Sequence, residues 1–68
     1  MDYVDRTKFI ELDSILWDVR TVLIPAKDAF ALYERRWSYV DKSRLGHEEL
    51  ALIKLLTKQE GNGCFMPG

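Results

Sequence analysis

The stretch FALYERRWSYVD, residues 30–41, sets four large aromatics around two adjacent arginines, and its periodicity decides the fold. Ala26, Phe30, Tyr33, Trp37 and Val40 recur at spacings of 4, 3, 4 and 3, the rhythm of a helix with one apolar seam. Pro25 suits a first helical position, where its missing N–H is no loss, so a helix is predicted over about 25–40. At about 100° per residue, Leu32 and Tyr39 widen the apolar arc to roughly half the circumference, beyond the stripe of an ordinary surface helix. Arg35 falls on the wet side with Lys27, Glu34 and Ser38 and reads as solvation. Arg36 falls inside the arc. Two readings of it stay open. In one, its stem lies over Leu32 and Tyr39 with its head in water or on a carboxylate such as Asp18. In the other, it sits in an interface among aromatics and meets a partner's carboxylate.

Working outward, Phe9, Leu12, Leu16, Val19 and Leu23 predict a helix over about 7–20. Its continuation VRTVLI, residues 19–24, is rich in β-branched residues, which are poorer helix formers, so the extension through Ile24 stays open. Ile10, Trp17 and Ile24 recur every seven residues as a second strip, facing either another helix of the unit or another protein. Downstream, LGHEELALIKLL opens a third helix over about 46–60. Gly46 is its expected N-cap, Glu49 its capping-box acid, and Leu45 with Leu50 its hydrophobic staple. First-turn acids and Lys58 in the last turn complement the helix dipole. Gly61 is the expected left-handed residue at its end, followed by an apolar tail over 61–68. No internal repeat, linker or low-complexity stretch is evident. The expectation is all-α: a single small helical domain over 1–68, three helices joined by short loops.

Sixty-eight residues form one domain at most, and such a chain buries only about 60% of its unfolded surface. Small proteins usually add disulfides, a metal or another chain. Cys64 is the only cysteine and His47 the only histidine, too few for a disulfide or a closed zinc site. Association is therefore expected, and truncating Trp37 to alanine is expected to leave the isolated chain unfolded. Ten basic and eleven acidic residues give a net charge of −1 and no strong global field. The polar start MDYVDRTKF is unlike a secretory signal, and no apolar run approaches the roughly 20 residues of a membrane span. A cytoplasmic setting is the expectation.

Chemistry is sparsely encoded. Cys64 would need a positioned base, and His47 is the one histidine that could serve. HEEL, residues 47–50, lacks the second histidine of a metalloprotease helix, since Ala51 stands in its place. GNG, residues 61–63, follows a helix instead of opening one, so it is no phosphate loop. No catalytic residue, metal ligand or cofactor is expected. Arg35, Arg36, Lys42 and Arg44 cluster among Tyr33, Trp37 and Tyr39, yet Glu34 and Asp41 leave a basic surplus of only two. That is modest beside the roughly 6–10 phosphate contacts of a strongly salt-dependent binder, so nucleic acid ranks as a third reading.

The run from ILWD through AFALYERRWSYVD, EELALI and GNG, Ile15 to Gly63, resembles a group of small bacterial antitoxins. These accompany nucleotidyltransferase-like toxins of the abortive-infection type. The resemblance implies a cytoplasmic protein that binds a cognate toxin, keeps it from modifying RNA, and carries no catalytic residue of its own. The leading expectation is a protein-binding module whose surface comprises Trp17, Tyr33, Arg36, Trp37, Tyr39, Val40 and Phe65. The alternative is a homodimer whose interface completes its own core.

Overall fold

The computed structural model, described over residues 1–67, has three helices and one element that the periodicity did not announce, a short β-hairpin. In chain order these are β1 (Tyr3–Asp5), α1 (Ile10–Ile15), β2 (Leu23–Pro25), α2 (Ala26–Arg35) and α3 (His47–Glu60). Three single 3-10 turns, Arg6–Lys8, Trp37–Tyr39 and Lys42–Arg44, join them. Among the described residues no helix is long and apolar enough to cross a membrane.

The first helix is six residues long and not the stretch 7–20 that its spacing suggests. The β-branched run after it goes into β2, which pairs antiparallel with β1 in the register Tyr3↔Pro25, Val4↔Ile24 and Asp5↔Leu23. Val4 and Ile24 thereby face inward and are buried, while Leu23 is exposed. The Arg6 guanidinium holds the intervening turn by donating to the carbonyls of Leu16 (2.9 Å), Asp13 (3.2 Å), Thr21 (3.3 Å) and Val19. It supplies the donors that carbonyls at a helix end otherwise lack. The strip Ile10, Trp17 and Ile24 therefore does not exist as one face: Ile24 is core, and the other two are exposed on separate elements.

The second helix also stops early. Arg36 caps it, and residues 37–39 tighten into a 3-10 turn that still delivers Val40 to the core. That core joins Leu12, Ile15 and Leu16 to Ala29, Phe30, Tyr33 and Val40, and to Leu52, Ile53 and Leu56 of α3. In the third helix Leu45 is half-buried against the core, but Leu50 is exposed, so the two do not staple the helix inward together. Gly61 is not left-handed (φ −107°). Asn62 (φ 52°) and Gly63 (φ 84°) take that role. Position 61 needs glycine for space, because a Cβ there would lie 2.6 Å from Phe30 Cζ.

A short internal repeat, unanticipated from the sequence, organises the remainder. Val4-Asp5-Arg6-Thr7-Lys8-Phe9 and Val40-Asp41-Lys42-Ser43-Arg44-Leu45 match conservatively at all six positions. Each valine is buried, and each aspartate caps a 3-10 turn. Each capping carboxylate accepts the N–H (3.0 Å) and the hydroxyl (2.6 Å) of the residue two on, Thr7 or Ser43. These bonds hold both carboxyls, Asp5 and Asp41, below their ordinary pKa. Each turn then leads into a helix bearing a buried glutamate, and the glutamates cross over. Glu49 of α3 accepts the N–H groups of Glu11 (3.2 Å) and Leu12 (2.8 Å) in the first turn of α1. Glu11 of α1 accepts the Asp41 N–H at 2.7 Å, where the second repeat begins. Glu49 stands at a capping-box position, but its carboxylate caps a neighbouring helix.

Candidate protein-docking face

Of the seven residues expected at a partner surface, two belong to the interior. Tyr33 and Val40 are buried in the core. The Tyr33 hydroxyl donates to Glu49 at 2.6 Å. Burial first, then the Glu49 hydrogen bond and the nearby carboxylates, push this phenol far above its usual range, so it stays protonated as a donor. The apolar seam of the second helix holds for Tyr33, and the expectation that it lies on a partner surface does not.

Trp37 and Phe65 are half-buried and cover each other. Their ring centroids lie 5.0 Å apart, and Phe65 also reaches Phe30 at 6.1 Å, all edge to face. Lys42 lies over the opposite partner, its Nζ 5.1 Å from the Trp37 ring and donating to the Trp37 carbonyl at 3.2 Å. These contacts make a closed satellite of the core.

Trp17, Arg36 and Tyr39 form the open face. Trp17 is 58% exposed and Tyr39 67% exposed, yet their rings touch edge to face, with centroids 5.3 Å apart. The Arg36 guanidinium stacks 4.2 Å from the Trp17 ring centroid and donates to both Asp18 carboxylate oxygens, at 2.8 and 2.9 Å. Its Nη1 also donates to the Ile15 carbonyl at 2.9 Å. The hydrogen bond from Arg36 holds the Asp18 carboxyl down at about 2. Arg36 meets Asp18 of its own chain, the carboxylate that the first reading of this residue named. Its side chain is only 16% exposed, and its charge is spent internally. Stacking and a bidentate pair orient the guanidinium beneath the indole, and Trp17 remains more than half exposed.

The remaining chemistry-bearing residues do not converge. His47 and Cys64 flank the two ends of α3, whose fourteen residues span about 20 Å, so they make no nucleophile–base pair. Among the described residues no group of three His, Cys, Asp or Glu side chains could hold a metal ion. Two shallow clefts of about 310 Å³ are present. One runs beside α2 past Val19, Thr21, Ile24, Asp28, Leu32 and Arg35, and the other past Lys8, Ile10, Arg44 and the start of α3. Of the four clustered basic residues, Arg36 is paired with Asp18, Lys42 covers Trp37, and Arg44 lies 3.6 Å from the buried Glu11. Among the described residues, Arg35 alone of these four shows no such contact, which leaves little continuous charge for a phosphate backbone.

The buried glutamates were missed because their identity as acids argues for solvent. A usable signal existed in the matched VD(R/K)(T/S)(K/R) segments, each followed by a helix carrying a glutamate. Comparison with protein-family models, curated proteins and solved structures finds no match to the chain.

Proposed function

We propose that this chain is a small protein-binding module that docks on a larger partner through the Trp17–Tyr39 face. The exposed, edge-to-face Trp17–Tyr39 pair carries this reading, backed as it is by the Arg36–Asp18 clamp. Tryptophan, tyrosine and arginine are the residues over-represented among interface hot spots, and rigid aromatics lose little entropy on binding. Arg36 acts here as the prop beneath the indole and not as the partner's counter-ion. The sequence resemblance supports a finer version: a cytoplasmic antitoxin-like protein that neutralises a nucleotidyltransferase-like toxin, with no catalytic residue of its own. Co-purification tests both versions. Wild-type chain should retain a nucleotidyltransferase-like protein encoded beside it, and a folded Trp17→Ala/Tyr39→Ala variant should not. Retention by the double variant removes the face from consideration. Failure of the wild type to retain that partner removes the antitoxin version.

A second reading, a homodimer, rests on the outward side of the hairpin, where Tyr3 and Leu23 are exposed. Light scattering on the purified chain separates the two: a monomer at all accessible concentrations excludes self-association through these residues.

A further inference from the structure

The turn after α3 contains the only asparagine of the chain, Asn62, followed directly by Gly63. Both are exposed and both have left-handed backbone. An Asn-Gly pair is chemically exposed in a specific way. Glycine has no Cβ to keep its nitrogen from the preceding side-chain amide carbon. Once deprotonated, the Gly63 nitrogen can attack Asn62 Cγ: a C–N bond forms, the bond to the side-chain nitrogen breaks, and ammonia leaves. Water then opens the five-membered imide. Opening at the side-chain carbonyl gives aspartate, and opening at the main-chain carbonyl gives isoaspartate, whose backbone is one atom longer.

The fold opposes this reaction. The Gly63 N–H is donated to the Thr57 carbonyl at 2.9 Å, and the next N–H, of Cys64, to the Gly61 carbonyl at 2.9 Å. The segment beyond is fastened twice more. Met66 N–H donates to Glu34 at 2.7 Å, and Phe65 packs on Trp37 and Phe30. Turning the Gly63 peptide toward Asn62 Cγ means releasing the Thr57 carbonyl and pulling on those anchors.

We propose that Asn62–Gly63 is an imide-forming modification site that the folded turn keeps latched. It reacts when the segment 64–67 lifts from Phe30 and Trp37. An isoaspartate at position 62, with its longer backbone, does not re-form the Gly63–Thr57 bond. The lift becomes permanent, and two aromatic rings now half-covered or buried are left open. Reaction at this turn converts a reversible opening into a lasting change of surface.

The test follows ammonia loss and isoaspartate formation by mass spectrometry on the full chain at mildly alkaline pH, native and in guanidinium. Conversion should be at least about tenfold slower in the native chain, since reaction there passes through local opening. Phe65→Ala and, separately, Glu34→Ala, which removes the acceptor of the Met66 N–H, should both convert faster than wild type while circular dichroism shows them folded. Equal rates in native and unfolded chains overturn the latch. A slow native chain whose variants are no faster overturns the part played by residues 64–67. Should Phe65→Ala fail to fold, Glu34→Ala decides alone.

Discussion

Two polar side chains do more for this fold than their exposure or residue type suggests. Asp18 titrates at about 2 in the fold against 3.8 as an unconstrained group, because Arg36 hydrogen-bonds its ionised form. Between those values the unfolded chain binds more protons, so stability rises with pH across that window. The contribution is complete above the upper value and lost as pH falls through about 2. Denaturant midpoints followed from about pH 5 downward should therefore fall, and Asp18→Asn should flatten part of that slope. Some slope should remain, because Asp5 and Asp41 are held low by their own hydroxyl partners. Glu49 is the second such residue. It accepts two N–H groups and the Tyr33 hydroxyl, all in the interior. Glu49→Leu strands three donors and should cost about 3 kcal/mol or more, each orphaned group costing about 1–3. Tyr33→Phe removes one donor to a carboxylate still held by two others and should cost only about 1–2 kcal/mol. The double substitution should cost less than the sum, the mark of a shared network, and chemical denaturation of all four chains measures it.

At the scale of elements, spacing was informative about burial and poor about length. Phe30, Tyr33 and Val40 lie inward as the second-helix seam demands, although the helix ends at Arg35 and a 3-10 turn carries the last of them in. In the first helix the same 3, 4 rhythm ran on into residues that form β2. A strand alternates at period two, and here the periods part: the helical seam points Leu23 inward, whereas β2 buries Ile24 and exposes Leu23. The β-branched composition of residues 19–24 held the answer, and the partner strand lay in MDYVDRTKF, which reads as a polar lead-in. The repeated Asp caps were legible only by comparing two segments 36 positions apart. Their equivalence makes a sharp prediction. Asp5→Ala and Asp41→Ala should each lower the denaturation midpoint, as loss of a capping acceptor does. Of the two, Asp41→Ala should also loosen the attachment of α1, because Glu11 holds that same residue's N–H. Amide exchange at position 41, slowed in wild type and fast in the variant, reads this directly. Trp37→Ala is milder than its seam position implies: the indole is half-buried over Phe65 and Lys42. It should cost about 2 kcal/mol, short of the roughly 3–5 of a fully buried tryptophan, and leave a cooperative transition.

For the whole molecule, size alone had suggested three short helices with more apolar surface than they can hide. The folded chain exposes 4631 Å². A self-contained monomer of its mass is expected to expose about 4,450 Å². The difference is a few per cent, so the core closes on itself, helped by the hairpin and by the crossed glutamates. The docking proposal therefore rests on a local feature, the exposed Trp17–Tyr39 pair, whose rings meet edge to face at the surface. A standard interface takes about 800 Å² from each side, roughly a sixth of this chain, and its affinity concentrates in a few central aromatics. The two demands on Trp17 and Tyr39 then separate. Replacing both by alanine removes an edge-to-face contact and a stacked guanidinium at the surface, worth about 1 kcal/mol of stability in total. In a complex centred on them, the same change should cost about 2 kcal/mol or more per hot spot, a weakening of at least about thirtyfold. Thermal unfolding of the isolated double variant, set beside calorimetric titration against the co-purifying partner, measures both. Equal losses in the two experiments would mean that these rings merely finish the fold. A near-native transition with binding abolished is the outcome the docking proposal predicts.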